Sequence, residues 1–264
     1  MIYYVGEKLN SSVPSTGEAM LTRDFDRLAA LAVAQAEAGA NCLDINTALC
    51  GAGETDMLCR VADIAVEKTN CDVMLDSPSP AAIIAALPHT KGRYAIINSV
   101  TADERLEELI PAAVEYGAGV VGLPIRSGVI PATPQGRLEN ALAIREKLRA
   151  AGIPDKRIYI DALAESVAMG GDAGKTLLET VRLLRRELPE VHIICGLSNV
   201  SFGLPKRARL NAAAATLLVE AGADSFICDA ASPSLRSAVA SCEAFTGRDE
   251  YCMEYITLIR SENE

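Results

Sequence analysis

Eight short runs rich in β-branched and aliphatic residues recur along the chain, at 2–5, 42–45, 73–75, 94–97, 120–123, 158–160, 192–195 and 225–228. Each is followed by a longer stretch in which apolar residues return every three or four positions. Within 105–116, Leu106, Leu109, Ile110, Ala113 and Val114 share one stripe; within 175–188, Leu177, Leu178, Val181, Leu184 and Leu188 do the same. The pattern predicts strands covered by amphipathic helices. Three helix ends agree with it: EAGANCLDIN, EYGAGVVGLPI and EAGADSFICDAA each place Gly then Ala ahead of the next strand. Gly39, Gly117 and Gly222 suit the left-handed position that stops a helix, and Gly152 does the same before a longer loop. Pro111 lies inside a helical pattern and predicts a kink there.

Eight strand–helix units in 264 residues come to about 33 residues each, the scale of a (β/α)8 TIM barrel, an α/β fold. The expectation is one domain over 1–264. A doubly wound open sheet is the alternative, but VGEKLN after the first strand lacks the G-x-G-x-x-G turn of dinucleotide-binding folds. Composition adds that half the residues are hydrophobic but only 4% aromatic, with no Trp, so Ala, Val, Leu and Ile must build the core. The net charge of −10 disfavours a general nucleic-acid surface. No run of about 18 apolar residues occurs, and MIYYVGEKLN lacks the basic start and apolar core of a signal peptide. These features predict a soluble, cytoplasmic chain with no membrane partner. Eight Cys without a C-x-x-C pair and two His point to free thiols rather than a zinc site or a disulfide framework.

In a barrel the chemistry sits where the strands end, so those positions are the candidates. They are Glu7 and Asn10, Asp44 and Asn46, Asp76 and Ser77, Asn98 and Ser99, Asp161, Ser198 and Asn199, and Asp229. Any one of them alone reads better as a helix cap or turn former, above all Asp76 before SPSP and Asp229 before AASPS. Seven strands ending this way predict a polar rim rich in carboxylates and amides. Such a rim matches a neutral heterocycle with N–H donors and ring nitrogens, an aminopyrimidinone edge for example. It matches phosphate poorly, because only Lys8, Lys206, Arg207 and Arg209 lie near it and no Gly-rich cradle is present. A Schiff-base mechanism lacks a Lys on any strand run, and a His-clustered metal site lacks imidazoles: His89 falls in a loop and His192 at the start of strand 7. No metal is expected on this chain.

IYYVGEKLN, CLDIN, VMLDS, AIINSV, YIDAL and above all GLSNVSFGLPKRARLN resemble the pterin-binding barrel methyltransferases, in the methyltetrahydrofolate:corrinoid protein branch. The resemblance runs from Ile2 to about Cys252 with every strand-end motif in order. It implies that Asp76, Asn98 and Asp161 bind the pterin, that Gly196 and Ser198 shape its other side, and that the Asn199 amide reaches pterin N5. Arg207 would meet the benzoate-glutamate tail or an acidic partner, with Asp44, Asn46 and Glu7 completing the rim. Outside that family, Asn199 would be a turn former and Arg207 a solvated surface residue. Phe202 stands where the family often carries a further polar residue.

The implied reaction moves a methyl group between N5 of tetrahydrofolate and the cobalt of a corrinoid (cobalamin). No D-x-H-x-x-G cobalamin signature occurs and eight units occupy the whole length, so the corrinoid is expected on a separate partner protein. Relatives are commonly dimeric, which makes a homodimer the expected state. Two rivals remain at this stage: a dihydropteroate synthase-like pterin transferase, against which Leu-Ser-Asn stands where Ser-Arg-Lys is usual, and a folate-binding protein without catalysis.

Overall fold

The computed structural model describes residues 2–261. Eight parallel strands form its centre: β1 (Tyr3–Asn10), β2 (Cys42–Asn46), β3 (Asp72–Asp76), β4 (Ala95–Val100), β5 (Gly119–Gly122), β6 (Ile158–Asp161), β7 (His192–Gly196) and β8 (Ser225–Cys228). They pair in chain order, and β8 closes on β1. Around them lie α1 (Pro14–Leu21), α2 (Phe25–Glu37), α3 (Glu54–Lys68), α4 (Pro80–Ala86) and α5 (Glu104–Glu115). The second half contributes α6 (Pro134–Ala150), α7 (Ala173–Glu187), α8 (Arg207–Ala221), α9 (Pro233–Phe245) and α10 (Met253–Ser261). The expected (β/α)8 barrel is the fold observed, with α1 and α10 added to its eight units. Among the described residues no helix is long and apolar enough to cross a membrane.

Because side chains alternate along a strand, each strand feeds two layers. Leu43, Ile45, Leu75, Ile97, Ile160 and Phe226 pack outward into the core shared with the helices. Val5, Cys42, Met74, Ile96, Val121, Tyr159 and Ile194 fill the barrel interior. Counting on by two from the interior residues reaches Asp44, Asn46, Asp76, Asn98, Asp161 and Gly196, so strand parity alone carries these positions to the mouth. β1 departs from this rule: its pairing with β2 shifts between Gly6 and Leu9, which turns Leu9 into the outer core and sets Asn10 beside Asn46.

Local expectations meet the structure unevenly. Gly39, Gly117, Gly152 and Gly222 all have positive φ, as the helix-stop reading requires. α5 continues through Pro111; Leu106, Leu109 and Ala113 are buried, but Val114 is 48% exposed, so the stripe is narrower than its sequence pattern. The strands also extend beyond the apolar runs, most clearly β1, because ladder pairing continues through polar residues at the mouth.

The opposite, amino-terminal end is plugged. Tyr3 Oη donates to Asp72 at 2.6 Å, and the His192 ring stacks on Tyr159 at 4.7 Å. The Asp224 carboxylate accepts from Arg185 at 2.8 Å, Ser225 at 2.9 Å and the Ile193 N–H at 3.1 Å, and pairs with His192 at 3.3 Å. His192 thus lies at the end away from the mouth, as its place at the start of strand 7 predicts.

Candidate active site

Across the mouth, ladder register sets Asn46 beside Asp76 and Asp76 beside Asn98. The Asn46 amide donates to Asp76 Oδ2 at 2.7 Å, and its own Oδ1 accepts from the Ala48 N–H at 3.1 Å. Beneath them, buried Asp44 accepts from the Asn98 amide at 3.3 Å. Asp161 stands on the next-but-one strand beyond β4, and its Oδ1 accepts the Leu163 N–H at 2.7 Å. Its other oxygen accepts no hydrogen bond from a described residue. Asp76 is not the cap of the following helix: Ser79 caps α4. Asp229 does serve its own turn, accepting from Ala231 at 3.3 Å, and pairs with Lys8 at 2.9 Å.

Burial drives the carboxyls of the mouth upward. Desolvation pushes Asp161 to about 6, against the lowering effects of the Leu163 N–H and the Arg137 charge. Asp44 is raised well above the usual range by burial and then by the neighbouring Asp76 charge. Burial raises Asp76 despite the Asn46 bond, and raises Glu7 despite the Ser198 hydroxyl, which donates to it at 2.8 Å. Carboxyls in this state gain most from a ligand that brings its own N–H donors.

Asn199 lies in the 3-10 turn Leu197–Ser201 that follows β7. Its side chain is exposed, and its carboxamide makes no hydrogen bond among the described residues. A methyl group added at Gly196 would come within 2.9 Å of that amide nitrogen, so the absent side chain at the end of β7 is what admits the amide to the mouth. The Arg207 guanidinium donates to the Ser198 carbonyl at 2.7 Å and to Ser201 Oγ at 3.1 Å, bracing this same turn. Phe202 is 70% exposed, and its carbonyl is held by the Ser166 hydroxyl at 2.6 Å. Asn10 turns back on its own loop, accepting from the Ser12 N–H at 2.9 Å. Ser77 is buried and donates to Glu54.

Two further residues act here that motif reading passes over. Arg105 donates to the Ser99 and Pro78 carbonyls at 2.6 Å each and to the Ser77 carbonyl, tying the loops that carry Asp76 and Asn98. Arg137 is 2% exposed and grips the loop behind Asp161. Arg137 left a readable trace: it shares the buried stripe of α6 with Ala141, Ile144 and Leu148, where a charged residue is out of place. Arg105 left none, since an Arg in a first helical turn is ordinary.

A closed parallel barrel whose mouth combines desolvated carboxyls, amides and a free carboxamide has the donor and acceptor set that suits a small polar heterocycle. Residues 6–229 match the family profile described as "Pterin binding enzyme", and the chain belongs to that family. It is 28% identical over 259 residues to the methylcorrinoid:tetrahydrofolate methyltransferase of Eubacterium limosum, covering 97% of this chain and 95% of that one. It is 33% identical over 242 residues to methionine synthase of Mycobacterium tuberculosis, covering 86% of this chain but 20% of that much longer protein. Among solved structures, dihydropteroate synthase from Xanthomonas albilineans in complex with 7,8-dihydropteroate superposes with a TM-score of 0.71 at 21% identity, over 93% of this chain and 94% of that one. That likeness speaks to the barrel. The two curated relatives support the methyltransferase branch that the strand-end motifs resemble.

Proposed function

We propose that this chain is a methyltransferase acting between N5 of tetrahydrofolate and a corrinoid delivered by a separate protein. The observation that carries the reading is the pairing of a carboxyl-and-amide pocket, short of donors, with one unengaged carboxamide at its edge. Asp76, Asn98 and Asp161 would hold the aminopyrimidinone edge, whose N–H groups supply what these raised carboxyls lack. Asp44 and Asn46 hold Asn98 and Asp76 in register, Ser198 and Gly196 form the opposite wall with Glu7 behind, and Arg207 fixes the turn. In this reading Arg207 serves the loop as well as any folate tail that reaches it. Eight free thiols fit work in a reducing cytoplasm.

Departure of N5 as an anion is prohibitive, so the nitrogen must gain a proton or a strong hydrogen bond as its bond to the methyl carbon breaks. Asn199 suits that task because its amide does not titrate and is not committed elsewhere. It can accept from a protonated N5 or donate to a neutral one, and strengthen that bond as charge develops. The corrinoid, as co-substrate, supplies the cobalt centre that takes or gives the methyl group. One transition state serves both directions.

Pteroate synthesis is the weaker reading, because it needs cations free to hold pyrophosphate. Arg105, Arg207 and Arg137 are spent on oxygens of the chain itself and Lys8 on Asp229, which leaves Lys206 and Arg209, both exposed, as the uncommitted cations near the rim among the described residues. The deciding experiment mixes methyltetrahydrofolate, cob(I)alamin and the protein and follows the cobalamin spectrum. Formation of methylcobalamin is expected. No methyl transfer, together with pteroate formation from dihydropterin pyrophosphate and p-aminobenzoate, overturns the reading.

A further inference from the structure

The Arg137 guanidinium is the largest fully buried side chain of the described residues. A charge placed there persists only if its donors are met. They are met almost wholly by backbone: Pro131 O at 3.0 Å, Ala162 O at 2.9 Å and Leu163 O at 2.8 Å, with Glu165 Oε2 at 2.6 Å completing the fork. The gripped segment is unusual in itself. Leu163 has φ of 59°, a left-handed conformation that a leucine keeps only when its surroundings enforce it. In that conformation its N–H donates to Asp161 Oδ1 at 2.7 Å. The peptide groups on both sides of the donor are therefore the ones whose carbonyls Arg137 holds.

We propose that Arg137 is a positioning residue for Asp161: by clamping the Ala162 and Leu163 carbonyls it sets the Leu163 N–H on one carboxyl oxygen and leaves the other to face the bound pterin. The assignment rests on the pterin reading above for the ligand, but its geometric half belongs to the ligand-free protein. Glu165, 45% exposed on its side chain, holds the far side of the fork and contributes less.

The test compares Arg137→Lys, which keeps the charge but loses the planar fork, in the native and Asp161→Asn backgrounds. Tetrahydrofolate affinity is measured by calorimetry, and the Asp161 carboxyl is titrated by carbon NMR without ligand. The expected result is a Kd raised about 10-fold in the native background and less than about 2-fold beside Asp161→Asn, since the effect runs through that carboxyl. The Asp161 midpoint moves upward, because the Leu163 bond that lowers it is loosened while the positive charge stays in place. Equal losses in the two backgrounds with an unmoved midpoint overturn the proposal. If Arg137→Lys does not fold, Glu165→Gln decides by the same two readouts, with an expected loss of about 3-fold in the native background only. If the native protein binds no tetrahydrofolate while the midpoint still moves, the pterin reading fails and the positioning role stands.

Discussion

The two ends of the barrel both carry carboxyls at least partly withdrawn from solvent, yet their electrostatic states are opposite. At the amino-terminal end, burial alone would raise Asp224, but His192, Ser225 and Arg185 together hold it below the usual carboxylate range. At the mouth, one backbone N–H and a distant guanidinium do not offset burial, and Asp161 is pushed up to about 6. The first end is complete within the chain. The second lacks donors, and a pterin edge would bring them. Stability and binding are thereby assigned to different ends of one barrel, the division expected where the βα loops form the site.

The sharpest way to break this comparison is Asn199→Ala, which should lower methyl transfer by about 10²–10³-fold, the usual loss for one preorganised group at a reacting atom. Tetrahydrofolate affinity and melting temperature should hardly change, and unchanged turnover in a spectroscopic assay would remove Asn199 from the chemistry. Next in size is the same substitution made at both ends. Asp161 titrates near 3.8 when unperturbed and near about 6 in the fold, so its favourable contribution is full below the lower value and is lost as pH rises through the upper one. Asp161→Asn should then stabilise the ligand-free protein by up to about 3 kcal/mol at pH 7.5, with the gain vanishing near pH 4. Asp224 is depressed instead, and its contribution is present at neutral pH and lost as acid protonates it. Asp224→Asn should cost about 1–3 kcal/mol at pH 7.5, so thermal unfolding of the two variants must shift in opposite directions.

A smaller effect tests the edge of the mouth. Gly196→Ala places a methyl group against the Asn199 amide, a flexible side-chain end that can move aside, so folding should survive while turnover falls about 10-fold. Smallest of all, Tyr3→Phe deletes the hydroxyl that meets Asp72 and should cost about 1 kcal/mol in denaturant unfolding with methyl transfer per folded molecule unaltered. A loss of activity there would couple the two ends and dissolve the contrast between them.

Much of this was legible before folding is considered. A period of two along CLDIN, VMLDS and YIDAL already sets Asp44, Asn46, Asp76 and Asp161 on one side of their strands, because alternation is a property of the extended backbone itself. Apolar returns and glycine stops mark the helices between, and the GLSNVS turn marks Asn199. The carboxyl states were not legible, since desolvation depends on which neighbours close around a group. Nor were the arginine clamps, whose partners are carbonyls, and carbonyls have no identity in a sequence.

What the sequence by itself determined is the eight-unit barrel and the set of polar side chains delivered to its mouth, both products of short-range periodicity. Closure of β8 onto β1 and the hydrogen bonds of Arg105, Arg137 and Arg207 to loop carbonyls decided the rest: which carboxyls are satisfied, which are short of donors, and where Asn199 stands. The physical reason is that solvation and hydrogen-bond supply are fixed by groups far apart in the chain, and only the closed barrel brings them together.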